Sequence, residues 1–319
     1  MLYNEIPSLD LNDFLSDDPL LKKTFVQNLG KAFEEIGFVA IKNYGLSNDL
    51  VENLYSIFQS FFSLPDSTKQ KYTIPNLHGQ RGYVGKEKEH AKGRDIGDLK
   101  EFYHIGQIVQ DNDPIINEYP DNAWVSEVKE FEKYATLGFK TLEKTGEYML
   151  RAIALYLGLN EFYFEEKVHN GNGILRAIHY YPLDPETTNP DAVRAAEHGD
   201  INLITLLMGA SADGLQVLRK DGKWIPITAL PEQIVVNVGD MLERLTNDKL
   251  KSTIHRVVNP PKELMNTSRY SIPFFMHPRM SMDLSCLPEC IDAVNPKKHT
   301  DISAGEFLMQ RLQEIGLKK

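Results

Sequence analysis

Ile174-Leu175-Arg176-Ala177-Ile178-His179-Tyr180-Tyr181 opens the half of the chain whose pattern decides the fold. Runs of the same kind, short and rich in β-branched and aromatic residues, recur at 203–208, 215–218, 234–238, 252–258 and 269–276, separated by Gly, Pro, Asn and Asp. β-rich runs at this spacing with no helix-length periodic segment between them predict an antiparallel sandwich or barrel.

Working outward, the residues before Gly171 read as mainly helical. Leu21, Phe25, Leu29, Phe33 and Ile36 recur at helical spacing behind the start signal Asp18-Pro19. A short apolar strand over 37–41 follows, and Ser47 caps a second amphipathic helix that carries Leu50, Leu54, Phe58 and Phe61. Segment 76–98 lacks any sustained period and is expected to be a loop, a candidate lid over a site in the core. One long helix is expected over 124–157, with Gly138 and Gly146 as the points where it could break. The end, 303–317, returns to a helical pattern. The expected organisation is one mixed α and β domain over 1–319, with a mainly helical part at 1–170, a β core at 171–285 and a helical C-terminal extension at 286–319.

Of the 319 residues, 42% are hydrophobic and 25% charged, ordinary for a globular chain with a sizeable core. A formal net charge of -10 argues against a nucleic-acid partner, since phosphate contacts require clustered Lys and Arg. A small neutral or cationic substrate is easier to reconcile with it. No stretch approaches the roughly 20 apolar residues of a membrane span, and residues 1–10 lack a basic segment followed by an apolar one. A cytoplasmic protein is therefore expected. The two cysteines, Cys286 and Cys290, are expected to be free thiols, and a zinc site would need two further partners.

Chemistry concentrates in three places. His198-Gly199-Asp200 sets an imidazole and a carboxylate two residues apart, hence on one face of an extended backbone. His255, inside Ser252-Thr-Ile-His-Arg-Val-Val258, is the best third partner, because an inward imidazole among β-branched residues needs a group to offset its desolvation. Read singly, each has an alternative: a solvent-facing pair at a loop end, and a core histidine bonded to a carbonyl. Together, two imidazoles and one carboxylate suit octahedral iron(II) with three positions left open, although the same donors can hold zinc. Arg269-Tyr270-Ser271 adds an inward guanidinium and hydroxyl in an apolar strand, which calls for a carboxylate, either from a ligand or from an internal Asp or Glu.

The succession His198-Gly-Asp200, Gly239-Asp-Met-Leu, Ser252-Thr-Ile-His255-Arg-Val and Arg269-Tyr-Ser271 resembles the isopenicillin N synthase-like family of iron(II) and 2-oxoglutarate-dependent dioxygenases. Gly214-Leu-Gln-Val-Leu, Gly222-Lys-Trp224, Ile6-Pro-Ser-Leu-Asp10 and Gly37-Phe-Val-Ala-Ile-Lys-Asn-Tyr-Gly45 extend the similarity over nearly the whole chain. The resemblance implies a double-stranded β-helix, or jelly roll, flanked by helices. It also implies iron(II) on His198, Asp200 and His255, 2-oxoglutarate as cosubstrate on Arg269 and Ser271, dioxygen, and hydroxylation of a small molecule. Where relatives commonly show Asn-Tyr-Tyr-Pro, this chain has His179-Tyr180-Tyr181-Pro182, and Tyr181 is expected to reach the cosubstrate carboxylate. Phe102, in Lys100-Glu-Phe-Tyr-His104, and Phe275 are candidate walls for the substrate, with core packing as the alternative. Two other readings stay open: iron and dioxygen chemistry without 2-oxoglutarate, and a jelly-roll metal-binding protein that is not an oxygenase.

Overall fold

The computed structural model describes residues 4–77, 79–90, 96–109, 113–189, 191–208, 214–227, 230 and 232–314. Strand β1 (Ser8–Asp10) runs directly into α1 (Leu11–Leu15), which Asp10 caps by accepting a hydrogen bond from the Asn12 amide at 2.9 Å. Asp18 does the same for α2 (Pro19–Glu35) through the Leu20 amide at 2.8 Å, and Ser47 for α3 (Asn48–Phe62) through Leu50 at 3.2 Å. Such caps satisfy amide groups that a helix start otherwise leaves unpaired. Strand β2 (Phe38–Lys42) lies between those two helices.

After a short helix α4 (Asp66–Lys69), strands β3 (Gly82–Val84) and β4 (Glu101–Gly106) form an antiparallel pair. Segment 76–98 is therefore not wholly loop, since β3 lies within it; residues 78 and 91–95 fall outside the described residues. The long helix α5 (Phe131–Tyr156) starts at Phe131, later than the apolar period suggests, because Glu130 adopts a left-handed backbone with φ 59°. It is unbroken. A Cβ on Gly138 would stand 2.8 Å from Cδ2 of Leu54, and one on Gly146 2.3 Å from Sδ of Met276, so both glycines provide close packing. A single turn, α6 (Glu165–Val168), leads to the main strands.

These are β5 (Ile174–Tyr180), β6 (Ala195–His198), β7 (Ile204–Met208), β8 (Leu215–Leu218), β9 (Trp224–Pro226) and β10 (Gln233–Val238). Helix α7 (Asp240–Leu245) precedes β11 (His255–Val257) and β12 (Arg269–Met276), and α8 (Ala304–Glu314) is the last described element. They form two facing sheets. One has the order β1-β2-β10-β7-β12-β5-β4-β3, the other β6-β11-β8-β9, and all pairings are antiparallel except β1 with β2.

Period-two alternation divides each strand of the large sheet between two cores. Leu175 and Ala177 of β5, Leu206 of β7, Val236 of β10 and Phe274 of β12 pack outward against the helical layer. Their neighbours Ile178, Tyr180, Leu207 and Val235 pack inward with Val217 and Val257 of the small sheet. With both faces buried, β2 and β4 lack the half-polar alternation that marks a strand in sequence, which is why β4 lies unseen in a region read as mainly helical. Cys286 and Cys290 are free and buried. Among the described residues no helix is long and apolar enough to cross a membrane.

Candidate active site

Strands β6 and β11 pair antiparallel with His198 opposite His255, and their rings lie 4.4 Å apart. Asp200 follows two residues after His198. The intervening Gly199 allows close approach, since a Cβ there would stand 2.9 Å from Oδ1 of Asp240. Oδ1 of Asp200 is 4.0 Å from Nε2 of His198 and 3.8 Å from Nε2 of His255. One donor atom from each of the three residues lies within 4.8 Å of the others, and this is the only such cluster of three His, Cys, Asp or Glu found among the described residues.

Hydrogen bonds outside the cluster aim these donors. Nδ1 of His198 faces the Ala196 carbonyl at 2.7 Å and Nδ1 of His255 the Thr253 carbonyl at 3.2 Å. A carbonyl only accepts, so each Nδ1 is the donor and each Nε2 is the ring nitrogen left to face a metal. Oδ2 of Asp200 accepts from the Thr205 hydroxyl at 2.6 Å and the Asn237 amide at 2.7 Å, which leaves Oδ1 facing the histidines. Burial, reinforced by His255, pushes the His198 imidazole down to about 4 and so keeps it neutral. Burial alone would raise the Asp200 carboxyl, but His255, His198, Asn237 and Thr205 together hold it below its ordinary value. Two imidazoles, that of His198 held neutral, and an ionised carboxylate in this array fit a divalent cation such as iron(II).

Beside this cluster, a chamber of about 70 Å³ lies between the sheets, lined by Ile178, Tyr180, Arg269 and Ser271 among others. Arg269 is 1% exposed, and its guanidinium carbon lies 4.8 Å from the centre of the Tyr180 ring. Tyr181 is elsewhere: its hydroxyl donates to Glu87 at 2.9 Å, and it does not line the chamber. The reason is register. Arg269 pairs across the ladder with Tyr180 and Ser271 with Ile178, so Tyr180 shares their face, and a shift of one residue turns a side chain to the opposite face. His179 accordingly points to the helical side, with Nδ1 2.8 Å from Glu101, Nε2 3.0 Å from the Ser268 hydroxyl, and its ring stacked on Tyr270 at 4.7 Å.

A second, outer chamber of about 250 Å³ also borders the cluster and shares Lys100, Arg176, His198, Asp200 and Phe275 with the first. Ile174, Ile201, Phe275, Leu308 and Leu312 form its apolar wall. Helix α8 thus covers this chamber, fastened by an Arg311–Asp240 ion pair at 3.1 Å. Phe102 is 1% exposed and does not line it; its ring instead lies 4.3 Å beneath the Arg176 guanidinium, which is also 5.1 Å from Phe275.

Arg176 donates to both carboxylate oxygens of Glu89 at 3.0 and 3.1 Å and to Nε2 of His104 at 2.6 Å. Lys100 pairs with Glu89 at 2.7 Å and Asp98 at 2.8 Å. These cations hold the buried Glu89 carboxyl far below its ordinary value against the opposing effect of burial. Sequence reasoning missed Arg176, Lys100 and His277 as lining residues. A basic residue in an apolar strand, the signal that singled out Arg269, marks Arg176 equally.

Residues 6–127 match a family described as the N-terminal region of non-haem dioxygenases of morphine synthesis, and residues 172–278 match the 2OG-Fe(II) oxygenase superfamily. Proline hydroxylase buaE of Petromyces alliaceus is 30% identical over 97% of this chain and 98% of its own. The chain belongs to the 2OG-Fe(II) oxygenase superfamily. Its fold superposes on a member from Caulobacter crescentus with a TM-score of 0.86 and 40% identity, covering 97% of this chain and 99% of that one. A full-length Neurospora crassa protein, solved in complex with alpha-KG and thymine, gives 0.85 and 33% identity over 97% and 96% of the two chains. The two sheets are the jelly roll of this superfamily. This oxygenase is a 2-oxoglutarate-dependent oxidoreductase that acts on small molecules with iron(II) and 2-oxoglutarate, which removes the two readings that dispensed with one or the other.

Proposed function

We propose that this oxygenase hydroxylates a compact, uncharged polar metabolite in the cytoplasm. His198, Asp200 and His255 are read as the iron ligands, Arg269 and Ser271 as the groups that hold the distal carboxylate of 2-oxoglutarate, and Tyr180, in place of Tyr181, as their neighbour. The free thiols Cys286 and Cys290 support a reducing compartment. Iron(II) with 2-oxoglutarate and dioxygen supplies an oxidant able to take hydrogen from an unactivated C–H bond, with succinate and carbon dioxide as by-products.

The chain's own contribution is placement and exclusion of water. Ile178, Arg269 and Ser271 seat the cosubstrate between the sheets, while Phe275, Leu308 and Leu312 close the apolar side of the outer chamber beside His198 and Asp200. One observation carries the substrate reading. Among the described residues, every Lys and Arg that lines the outer chamber already has a carboxylate partner: Lys100 with Asp98 and Glu89, Arg176 with Glu89, Arg311 with Asp240. With these charges already matched, a charged group on the substrate would itself be the unpaired one, and leaving a buried charge unpaired costs on the order of 3–5 kcal/mol. A neutral molecule costs none of that. It can use the N–H groups that Arg176 and Lys100 have left over, together with His277, whose imidazole burial pushes down to about 4 and so keeps neutral. The volume of about 250 Å³ suits a small ligand.

The relatives supply probes of both kinds, since thymine is uncharged and proline is a zwitterion. Succinate formation from 2-oxoglutarate is measured with a panel of uncharged ring metabolites that includes thymine and a panel of amino acids that includes L-proline. Stimulation by uncharged compounds alone is expected, with one atom of ¹⁸O₂ incorporated into the product. Stimulation confined to amino acids would overturn the substrate reading, and a product without ¹⁸O would overturn hydroxylation.

A further inference from the structure

Arg194, immediately before β6, is 1% exposed and has no carboxylate within ion-pairing distance among the described residues. Its Nη2 donates to the Thr267 carbonyl at 3.1 Å, and its Nε has no hydrogen-bond partner. A cation in such a place is costly, because a buried ion is tolerated only when an opposite charge or a full set of hydrogen bonds offsets its lost hydration. A second guanidinium makes matters worse. The guanidinium carbon of Arg194 lies 5.8 Å from the centre of the Tyr180 ring, and that of Arg269 lies 4.8 Å from the same centre. Burial and then repulsion from Arg269 push Arg194 down to about 10.

Two buried guanidinium groups on one ring, next to a chamber lined by Tyr180, Ala195 and Arg269 though not by Arg194 itself, make the potential there more positive, which favours an anionic ligand. We propose that Arg194 is a second cation of the cosubstrate site, a positioning residue that acts across Tyr180 and joins Arg269 in binding the distal carboxylate of 2-oxoglutarate. The proposal rests on the reading that Arg269 faces that carboxylate. It makes Arg194 destabilising while the site is empty and favourable once the dianion is bound. A brace that merely ties β6 to Thr267 would stabilise the fold in both states.

The test uses the full chain loaded with iron(II), with oxygen excluded, and compares binding of 2-oxoglutarate with binding of 2-oxobutanoate by calorimetric titration. The two acids share the metal-binding 2-oxo acid head, and only the first has a distal carboxylate. Arg194→Met keeps most of the volume and removes the charge. It is expected to weaken 2-oxoglutarate about tenfold, to leave 2-oxobutanoate within about twofold, and to leave the unliganded chain melting no lower than the wild type. Arg194→Lys, which keeps a charge, is expected to retain most of the preference for 2-oxoglutarate. Equal weakening of both acids, a lowered melting temperature without ligand, or an unchanged preference would each overturn the role of Arg194. If the wild-type chain itself binds the two acids equally, the cosubstrate reading of Arg269 fails, and the proposal fails with it.

Discussion

Nε2 of His255 lies 3.8 Å from Oδ1 of Asp200, while the other oxygen of that carboxylate is held by Asn237 and Thr205 at 2.7 and 2.6 Å. The aspartate is thus oriented by β10 and β7 of the large sheet before any metal binds, and the histidines come from the small sheet. The metal site is a junction between the two layers.

Asn237→Ala removes one of the two donors that fix Asp200 without touching a candidate ligand. Loss of such an outer partner weakens metal binding by about 10–100-fold. Iron(II) titration of the variant is expected to show a loss in that range with the melting temperature little changed. Iron affinity equal to that of the wild type would mean that Thr205 alone orients the carboxylate.

Glu101 gives the fold a predictable response to acid. Burial would raise its carboxyl, but hydrogen bonds from His179, Lys69 and Tyr83 bring it from 4.5 to about 2. A carboxyl depressed on folding stabilises the native state fully above its unfolded pKa, and that contribution is lost as pH falls through the folded value. The window therefore runs from about 4.5 down to about 2, and the contribution is on the order of 3 kcal/mol. The urea-midpoint difference between wild type and Glu101→Gln is expected to be largest near neutrality and to shrink across this window. A difference independent of pH would show that the network does not depend on the ionised form.

Gly30 lies in α2 against the Tyr156 ring of α5, where an added Cβ would stand 2.1 Å from the ring carbons. Helix propensity alone favours Gly30→Ala by about 1 kcal/mol. The clash dominates, since overpacking a filled core costs about 1–3 kcal/mol. Thermal unfolding is expected to show a net loss of stability, and a gain would mean that α2 and α5 separate at little cost.

Much of the site was legible before folding, because strand periodicity is local. Side chains two residues apart on an extended backbone share a face, so His198 and Asp200, like Arg269 and Ser271, could be grouped from spacing alone. The same rule made Tyr181 vulnerable. A motif places a strand to within a residue, but the inward face depends on cross-strand pairing, and the ladder that sets Tyr180 opposite Arg269 is a long-range contact. Phe102 has the same lesson: its apolar character was evident, but only packing decides that it carries Arg176 on its face and does not line the chamber.

By itself, the chain's order of residues determined the β-rich second half, the helices with their Asp18 and Ser47 caps, and the metal-binding residue types, since each depends on neighbours a few positions away. Tertiary structure alone decided that β4 joins the large sheet, that α8 covers the outer chamber, that Lys100 and Arg176 share Glu89, and that Arg194 meets Arg269 at Tyr180. Those relations join segments far apart in the chain, and the burial that makes their charges matter exists only once the two sheets and the helical layer have closed.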